Sequence, residues 1–150
     1  MQPVQLWLDQ YGSSHQNPVN KRIHWLCVPL IMWSLLGLLW LLHVPGLPLL
    51  NGAVVLMAVA LLFYWRLSPT LFLAMAVMTA LMLAAWWGLA ALGAPVAAIA
   101  AAVFVLSWIA QFYGHKLEGK KPSFFQDVQF LLIGPLWVVA FWFRRQGWRY

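Results

Sequence analysis

The stretch LFLAMAVMTALMLAAWWGLAAL, residues 71–92, contains no charged side chain. A helix needs about 20 apolar residues to cross the hydrocarbon core of a bilayer, so this stretch predicts a transmembrane helix. The whole chain has the same character, because its 150 residues are 64% hydrophobic and only 8% charged. A soluble domain carries about 25% charged residues. Composition therefore predicts a single integral membrane domain, 1–150.

Three further apolar runs have a similar length and composition, and they cover residues 25–42, 47–65 and 96–112. The breaks between the runs have turn chemistry. Ser68 followed by Pro69 is typical of an N-cap and a first helical residue, and Gly93 shortly before Pro95 is typical of a helix end. Tight turns favour antiparallel neighbours. We expect an all-α membrane protein with four transmembrane helices, preceded by a short N-terminal helix.

A fifth run, residues 124–143, differs from the others. Ser123 and Gln126 have the spacing of a capping box, and Gly134-Pro135 interrupts the middle of the run. We expect this segment to be kinked, and to be re-entrant or interfacial rather than a full crossing.

Basic residues predict the orientation, because cytoplasmic loops are enriched in lysine and arginine. The turns around Pro45 and Pro95 carry no charge, whereas the other connections and both terminal regions are basic. A fifth crossing would place the C-terminal arginines outside. We therefore expect both termini to be cytoplasmic, in a bacterial inner membrane. The basic residues are Lys21, Arg22, Arg66, Lys116, Lys120, Lys121, Arg144, Arg145 and Arg149.

The net charge of +6 does not indicate nucleic acid binding, since the basic residues form short clusters beside apolar runs. Anionic lipid head groups are the partner that such clusters favour. Cys27 is the only cysteine, which excludes an intramolecular disulfide and a multi-cysteine metal site.

Two motifs at the predicted cytoplasmic ends bring together residues that can bind a metal. In the first, Asn17 can cap a helix in which Asn20 and His24 share a face, with His15 in the preceding turn. In the second, a 3-4-3 spacing aligns Trp108, Gln111, His115 and Glu118 on one helical stripe. Imidazole and carboxylate groups suit iron, zinc or manganese.

The sequence also allows other roles for these polar residues. A single histidine at a helix end is more often an interfacial hydrogen-bonding residue, and this reading fits His43 best. Glu118 could pair with Lys116 or Lys121, and Asp127 could interact with a helix dipole. A non-enzymatic lipid-binding or assembly protein with structural histidines is the alternative function. Proton-coupled transport fits less well, since the predicted crossings have no ionisable residue near their midpoints.

The two motifs together resemble those of a known enzyme family. His15-x-Asn17-Pro18-x-Asn20-x-x-Ile23-His24 and Trp108-Ile-x-Gln111-Phe-x-Gly114-His115, with Gly134-Pro135 downstream, are similar to the endoplasmic-reticulum 2-hydroxy fatty acid dioxygenases of fungi and their small bacterial homologues. The resemblance implies an iron(II)-dependent enzyme of fatty acid α-oxidation, which uses O2 to shorten a 2-hydroxy acyl chain by one carbon.

The resemblance also implies roles for individual residues. It assigns His15, His24 and His115 as iron ligands. The chemistry and position of further residues, rather than the resemblance, add a supporting or catalytic set and a pair of lysines that could attract the substrate carboxylate. The fungal pattern has one more residue between the histidine and the glutamate, so a fourth ligand could be Glu118, substrate or water. The supporting set is Tyr11, Asn20, Gln111, Glu118 and Asp127, and the lysines are Lys120 and Lys121. Membrane lipid is a further partner, and an oligomer is compatible with the sequence.

Overall fold

The computed structural model describes residues 3–125 and 129–150. In these residues the chain forms six α-helices, one 3-10 turn and a two-stranded hairpin, so the predicted helical class is confirmed with a small β addition. The helices are α1 (Val4–Gly12), α2 (Pro18–Trp40), α3 (Gly52–Leu67), α4 (Pro69–Ala91), α5 (Val96–Glu118) and α6 (Phe130–Arg145), and the strands are β1 (His43–Val44) and β2 (Leu47–Asn51).

Helices α2, α4 and α5 are each 23 residues long and apolar enough to cross a membrane. At 1.5 Å per residue each measures about 35 Å, which exceeds the roughly 30 Å of bilayer hydrocarbon. Their outward faces carry exposed large apolar side chains, including Leu73, Leu81 and Leu106. Such faces are compatible with a membrane protein, because lipid is the solvent that favours them.

The predicted start of the second transmembrane helix, at residue 47, is wrong. Residues Leu47–Asn51 form strand β2, which pairs antiparallel with β1 across a turn where Gly46 has a φ of +80°. The Asn51 side chain then accepts hydrogen bonds from the backbone N–H groups of Ala53 and Val54. This cap fixes the beginning of α3 at Gly52. Helix α3 has 16 residues and is about 24 Å long, which makes it the shorter apolar helix.

The predicted helix caps at Asn17, Ser68 and Gly93 are confirmed. The Asn17 side chain accepts hydrogen bonds from the N–H groups of Val19 and Asn20, and the Ser68 hydroxyl accepts one from Leu71 N–H. Gly93 has a φ of +74° after α4. Helix α2 starts seven residues before the predicted run, and α5 continues to Glu118. Both motifs therefore lie on the ends of the long helices.

The fifth segment begins later than predicted. Residues Ser123–Phe125 form a 3-10 turn, so the α-helix starts at Phe130 rather than at residue 124. The Ser123 hydroxyl has no hydrogen-bond partner in the described residues, and Gln126 lies outside them. Pro135 is inside α6, as predicted. The helix is largely buried and packs against α1, α2 and α4.

Two apolar clusters stabilise the bundle at its two ends. One joins α1, α3, α4 and α6 around Tyr11, Tyr64, Met75 and Ile133. The other is the floor cluster of Leu36, Ala53, Trp86, Val96 and Ala100. The C-terminal Tyr150 hydroxyl donates a hydrogen bond of 3.2 Å to Gln5 Oε1, so the end of the chain lies against α1.

Candidate metal centre

Three histidines from three parts of the chain meet at the N-terminal end of α2. His15 lies in the turn after α1, His24 in the second turn of α2, and His115 in the last turn of α5. They are 0%, 1% and 4% exposed, respectively. One ring nitrogen of each lies within 4.8 Å of the others. The structure therefore brings together the three residues that the two motifs supply.

Backbone carbonyls orient two of these rings. His15 Nδ1 lies 2.6 Å from the Tyr11 carbonyl oxygen, and His24 Nδ1 lies 2.9 Å from the Asn20 carbonyl oxygen. A carbonyl only accepts hydrogen bonds, so each Nδ1 carries the proton and each Nε2 keeps its lone pair. The His15 Nε2 is buried without a partner in the described residues. Metal-bound histidines typically donate their second ring N–H to such an acceptor.

The protonation state of the His15 ring at pH 7 is the one that a metal ligand needs. Burial of the ring lowers the pKa of His15 from 6.5 to about 4. At pH 7 the ring is therefore neutral, as a metal ligand must be. Tyr11 stacks on this ring with centroids 4.3 Å apart. Burial raises the pKa of the Tyr11 phenol, which keeps the hydroxyl protonated.

The spacing of two of the rings, those of His24 and His115, fits a single ion. His24 Nε2 and His115 Nε2 are 3.1 Å apart. Two nitrogens bound to one ion at about 2.1 Å, and roughly at right angles or slightly wider, lie about 3.0 to 3.4 Å apart. Three neutral imidazoles are a suitable donor set for iron, zinc or copper. The residues present therefore fit a divalent transition metal.

Glu118 has a different position from the one that metal ligation requires. Its carboxylate accepts hydrogen bonds of 2.8 Å from both Gln16 N–H and Asn17 N–H, and one of 3.1 Å from Asn20 Nδ2. These donors belong to the His15 turn and the start of α2, where a helix also favours negative charge. Glu118 therefore ties the end of α5 to the turn that carries His15. Within the part of the chain that the structure describes, Glu118 makes these contacts rather than an ion pair with Lys116 or Lys121.

Asn20 and Gly114 allow α2 and α5 to approach closely beside the histidines. Asn20 is fully buried, and its Nδ2 also donates to the Ser14 carbonyl at 3.3 Å. A Cβ atom added at Gly114 would overlap the Asn20 side chain. A glycine is thus required where the two helices meet, because no space exists for a side chain.

The remaining predicted residues lie around the histidines at different depths. Gln111 is buried one turn below His115. Lys120 Nζ donates a 2.7 Å hydrogen bond to the Ser13 carbonyl, and Lys121 is exposed. Both lysines line a shallow cleft of about 320 Å³ that also touches His115. Asp127 lies outside the described residues.

A larger cavity of about 590 Å³ extends from the histidines into the bundle. Tyr11, His24, Gln111 and His115 line its polar end. Mostly apolar side chains of α2, α3, α5 and α6 line the rest. The candidate centre therefore has a polar surface cleft on one side and an apolar cavity on the other.

The family model described as 2-hydroxy-palmitic acid dioxygenase Mpo1-like matches residues 1–146. The chain belongs to the Mpo1-like family. This membership confirms the resemblance that the two motifs indicated. No curated protein and no solved structure matches the chain significantly.

Two residues beside the candidate metal centre of this Mpo1-like chain were not predicted from the sequence to belong to it. Trp137 on α6 lies with its ring centroid 5.5 Å from both Tyr11 and His15. Nothing in the spacing of the α6 sequence distinguishes Trp137 from the other tryptophans. Gly114 was noted only as part of a motif, although a glycine within a helix, next to a candidate ligand, is a signal of close helix packing.

Proposed function

We propose that this Mpo1-like chain is an iron(II)-dependent dioxygenase that shortens a 2-hydroxy fatty acid by one carbon. One observation carries the proposal, namely that a cluster of three buried histidines has two members, His24 and His115, at the polar end of an apolar cavity. The family description names a 2-hydroxy fatty acid as substrate. Such a molecule has a chelating head and a long apolar tail, which matches the two parts of the site.

His15, His24 and His115 would hold the iron through neutral ring nitrogens. Three protein ligands leave open coordination positions, and iron(II), when bound, supplies the redox chemistry that O2 requires. The histidines are almost completely buried, so the protein excludes bulk water from the reacting atoms.

Surrounding residues orient the ligands and the substrate head in this proposal. Asn20 holds the His24 ring, Tyr11 holds the His15 ring, and Glu118 fixes the turn between them. The buried Gln111 amide faces the cavity and can bond to the hydroxyl or carboxylate of the acid. Lys120 and Lys121 would attract the carboxylate from the surface cleft.

We further infer that the centre lies at the cytoplasmic face of a bacterial inner membrane, in a single membrane domain. The basic residues beside α2 and α5 support this orientation through the positive-inside rule. The hydrogen bond between Tyr150 and Gln5 supports a common side for both termini.

Metal analysis of the purified protein tests the ligand assignment. We expect the wild type to contain iron, and His24→Ala and His115→Ala each to lose most of it. His43→Ala is the matched control, because His43 is exposed at the opposite end of α2. Iron absent from the wild type, or retained in both variants, would overturn the assignment.

Oxygen uptake with 2-hydroxypalmitate tests the reaction. We expect turnover by the iron-containing wild type and a product that is one carbon shorter by mass spectrometry. Palmitate, which lacks the 2-hydroxyl group, is the control substrate and should give no uptake. Iron-loaded protein that does not turn over any 2-hydroxy acid would refute the substrate assignment.

A non-enzymatic lipid-binding protein is the second candidate, and the apolar cavity is the observation that favours it. In that case the histidines would be structural. Lipid that co-purifies with metal-free, inactive protein would support this candidate over the dioxygenase.

A further inference from the structure

The cavity below the histidines is lined by one face each of α2, α3 and α5, together with the first half of α6 and Thr79 on α4. On α2 the lining residues recur at helical spacing from His24 through Val28 to Leu36. On α5 they descend from His115 to Phe104. Helix α3 runs in the opposite direction, so its first residues reach the same depth. The cavity is therefore parallel to the helices and continues away from the metal centre.

The depth of the cavity matches one acyl chain. His24 and Leu36 are twelve residues apart on α2, which corresponds to about 18 Å. His115 and Phe104 give nearly the same distance, roughly 17 Å, on α5. One leaflet accounts for about half of a hydrocarbon core that is roughly 30 Å thick. A single lipid tail therefore has the length that the cavity accommodates.

The polarity of the lining changes along the cavity. The upper end contains imidazole, amide and phenol groups, whereas the deep end contains Leu36, Leu56 and Met57. Two polar side chains below the upper end donate their hydroxyl hydrogens to backbone carbonyls of the protein. The Tyr64 hydroxyl donates to the Leu132 carbonyl, and the Thr79 hydroxyl donates to the Met75 carbonyl. An occupant must therefore be polar at the histidine end and apolar along the rest.

The deep end of the cavity meets the floor cluster. Leu36 belongs both to the cavity lining and to this cluster, and it is 1% exposed. Met57 also lines the cavity and packs against the same cluster. Trp86 anchors the floor, because its indole stacks on Trp33 and donates a hydrogen bond to the Trp33 carbonyl. A tail that reaches this level cannot extend without displacing packed side chains.

We infer that this cavity is the binding site for the acyl tail, and that Leu36 and Met57 set the longest chain that it accepts. The inference rests on the proposed function for the position of the acid head at the histidines. It adds a specificity determinant that is about 18 Å from the reacting atoms. Met57 is the better position for a test, since it is only half-buried and has a flexible side chain.

Substitutions of Met57 test the length limit in a binding assay that does not depend on turnover. Purified protein in lipid nanodiscs is incubated with 2-hydroxydecanoate and 2-hydroxypalmitate together, and the bound ratio is measured by mass spectrometry. We expect Met57→Trp to reduce binding of the long acid relative to the short one by roughly tenfold, which is a typical overpacking effect. Met57→Ala should extend the accepted range beyond 2-hydroxypalmitate.

Val59→Trp is the matched control, because Val59 lies on the same helix but is 58% exposed and does not line the cavity. It should leave the ratio unchanged. Should Met57→Trp fail to fold, Met57→Ala still tests the inference in the opposite direction. If the ratio of bound long acid to bound short acid is the same in Met57→Trp, Met57→Ala and the control, the length limit is overturned, even if 2-hydroxypalmitate is turned over. A length shift without oxygen uptake would support the tail site and refute the proposed reaction.

Discussion

Glu118 illustrates how one carboxylate can organise a site without touching its centre. Its two oxygens accept three hydrogen bonds from the segment that begins directly after His15. The side chain therefore joins residues that are about one hundred positions apart. Because the three donors satisfy the carboxylate, we assign Glu118 a positioning role in the site.

The positioning role predicts the effect of Glu118→Gln. An amide cannot accept all three hydrogen bonds, so the variant should lose about 1–3 kcal/mol of stability. We expect a lower thermal unfolding midpoint even in metal-free protein, together with weaker iron binding because the His15 turn is less well held. Thermal unfolding in detergent, with and without a chelator, measures both effects.

Asp9→Asn is the control for Glu118→Gln. Asp9 is an exposed carboxylate that accepts a hydrogen bond from Gln5 Nε2, so its substitution should change the midpoint little. A metal ligand would behave differently from a positioning residue. Loss of iron from Glu118→Gln with an unchanged midpoint of the metal-free protein would show that Glu118 is a ligand.

At the scale of elements, the site depends on the contact between α2 and α5. These helices come from opposite halves of the chain, yet they contribute two of the three histidines. Gly114 lets the backbone of α5 approach Asn20. Small residues are the usual solution for close helix packing in lipid, where apolar burial gives no net driving force.

This contact predicts that Gly114→Ala disrupts the centre. The added methyl group would overlap Asn20 and move α5 away from α2, at a cost of about 1–3 kcal/mol. Iron content should fall together with the thermal midpoint. Gly88→Ala on α4 is the matched control, since its added Cβ meets nothing within 4 Å. Equal behaviour of the two variants would contradict the close-approach role.

At the scale of the whole molecule, the ends of the chain lie together. Tyr150 bonds to Gln5 on α1, and α1 packs against α6. We propose from these contacts that the fifth segment does not cross the membrane and that both termini lie on the side of the metal centre.

Cysteine labelling in intact cells tests this arrangement. Trp148→Cys and Leu6→Cys, both at exposed positions, should resist a membrane-impermeant maleimide until the cells are lysed. Leu92→Cys, in the turn between α4 and α5 and 85% exposed, should be labelled from outside. Cys27 is buried and gives a low background. Labelling of Trp148→Cys in intact cells would mean that α6 crosses.

The sequence alone determined the helical class, three helices that are long and apolar enough to cross a membrane, several helix caps, and the three histidines that the structure brings together. Apolar runs, Asn17, Ser68 and Gly93 are local signals, because a helix and its caps depend on neighbouring residues. The start of α3 was predicted wrongly because the first residues of the apolar run pair as a strand instead of forming a helix. Asn51 is nevertheless a residue type that is typical of an N-cap.

Only the tertiary structure decided the contacts between distant segments. The bonds of Glu118 to the His15 turn, the position of Trp137 beside the centre, and the apolar cavity with its floor all join residues far apart in the chain. Sequence spacing fixes which side chains share a helix face, but not which face of another helix they meet. Packing of complete helices sets that choice, and in this protein it places a histidine cluster at one end of an apolar cavity.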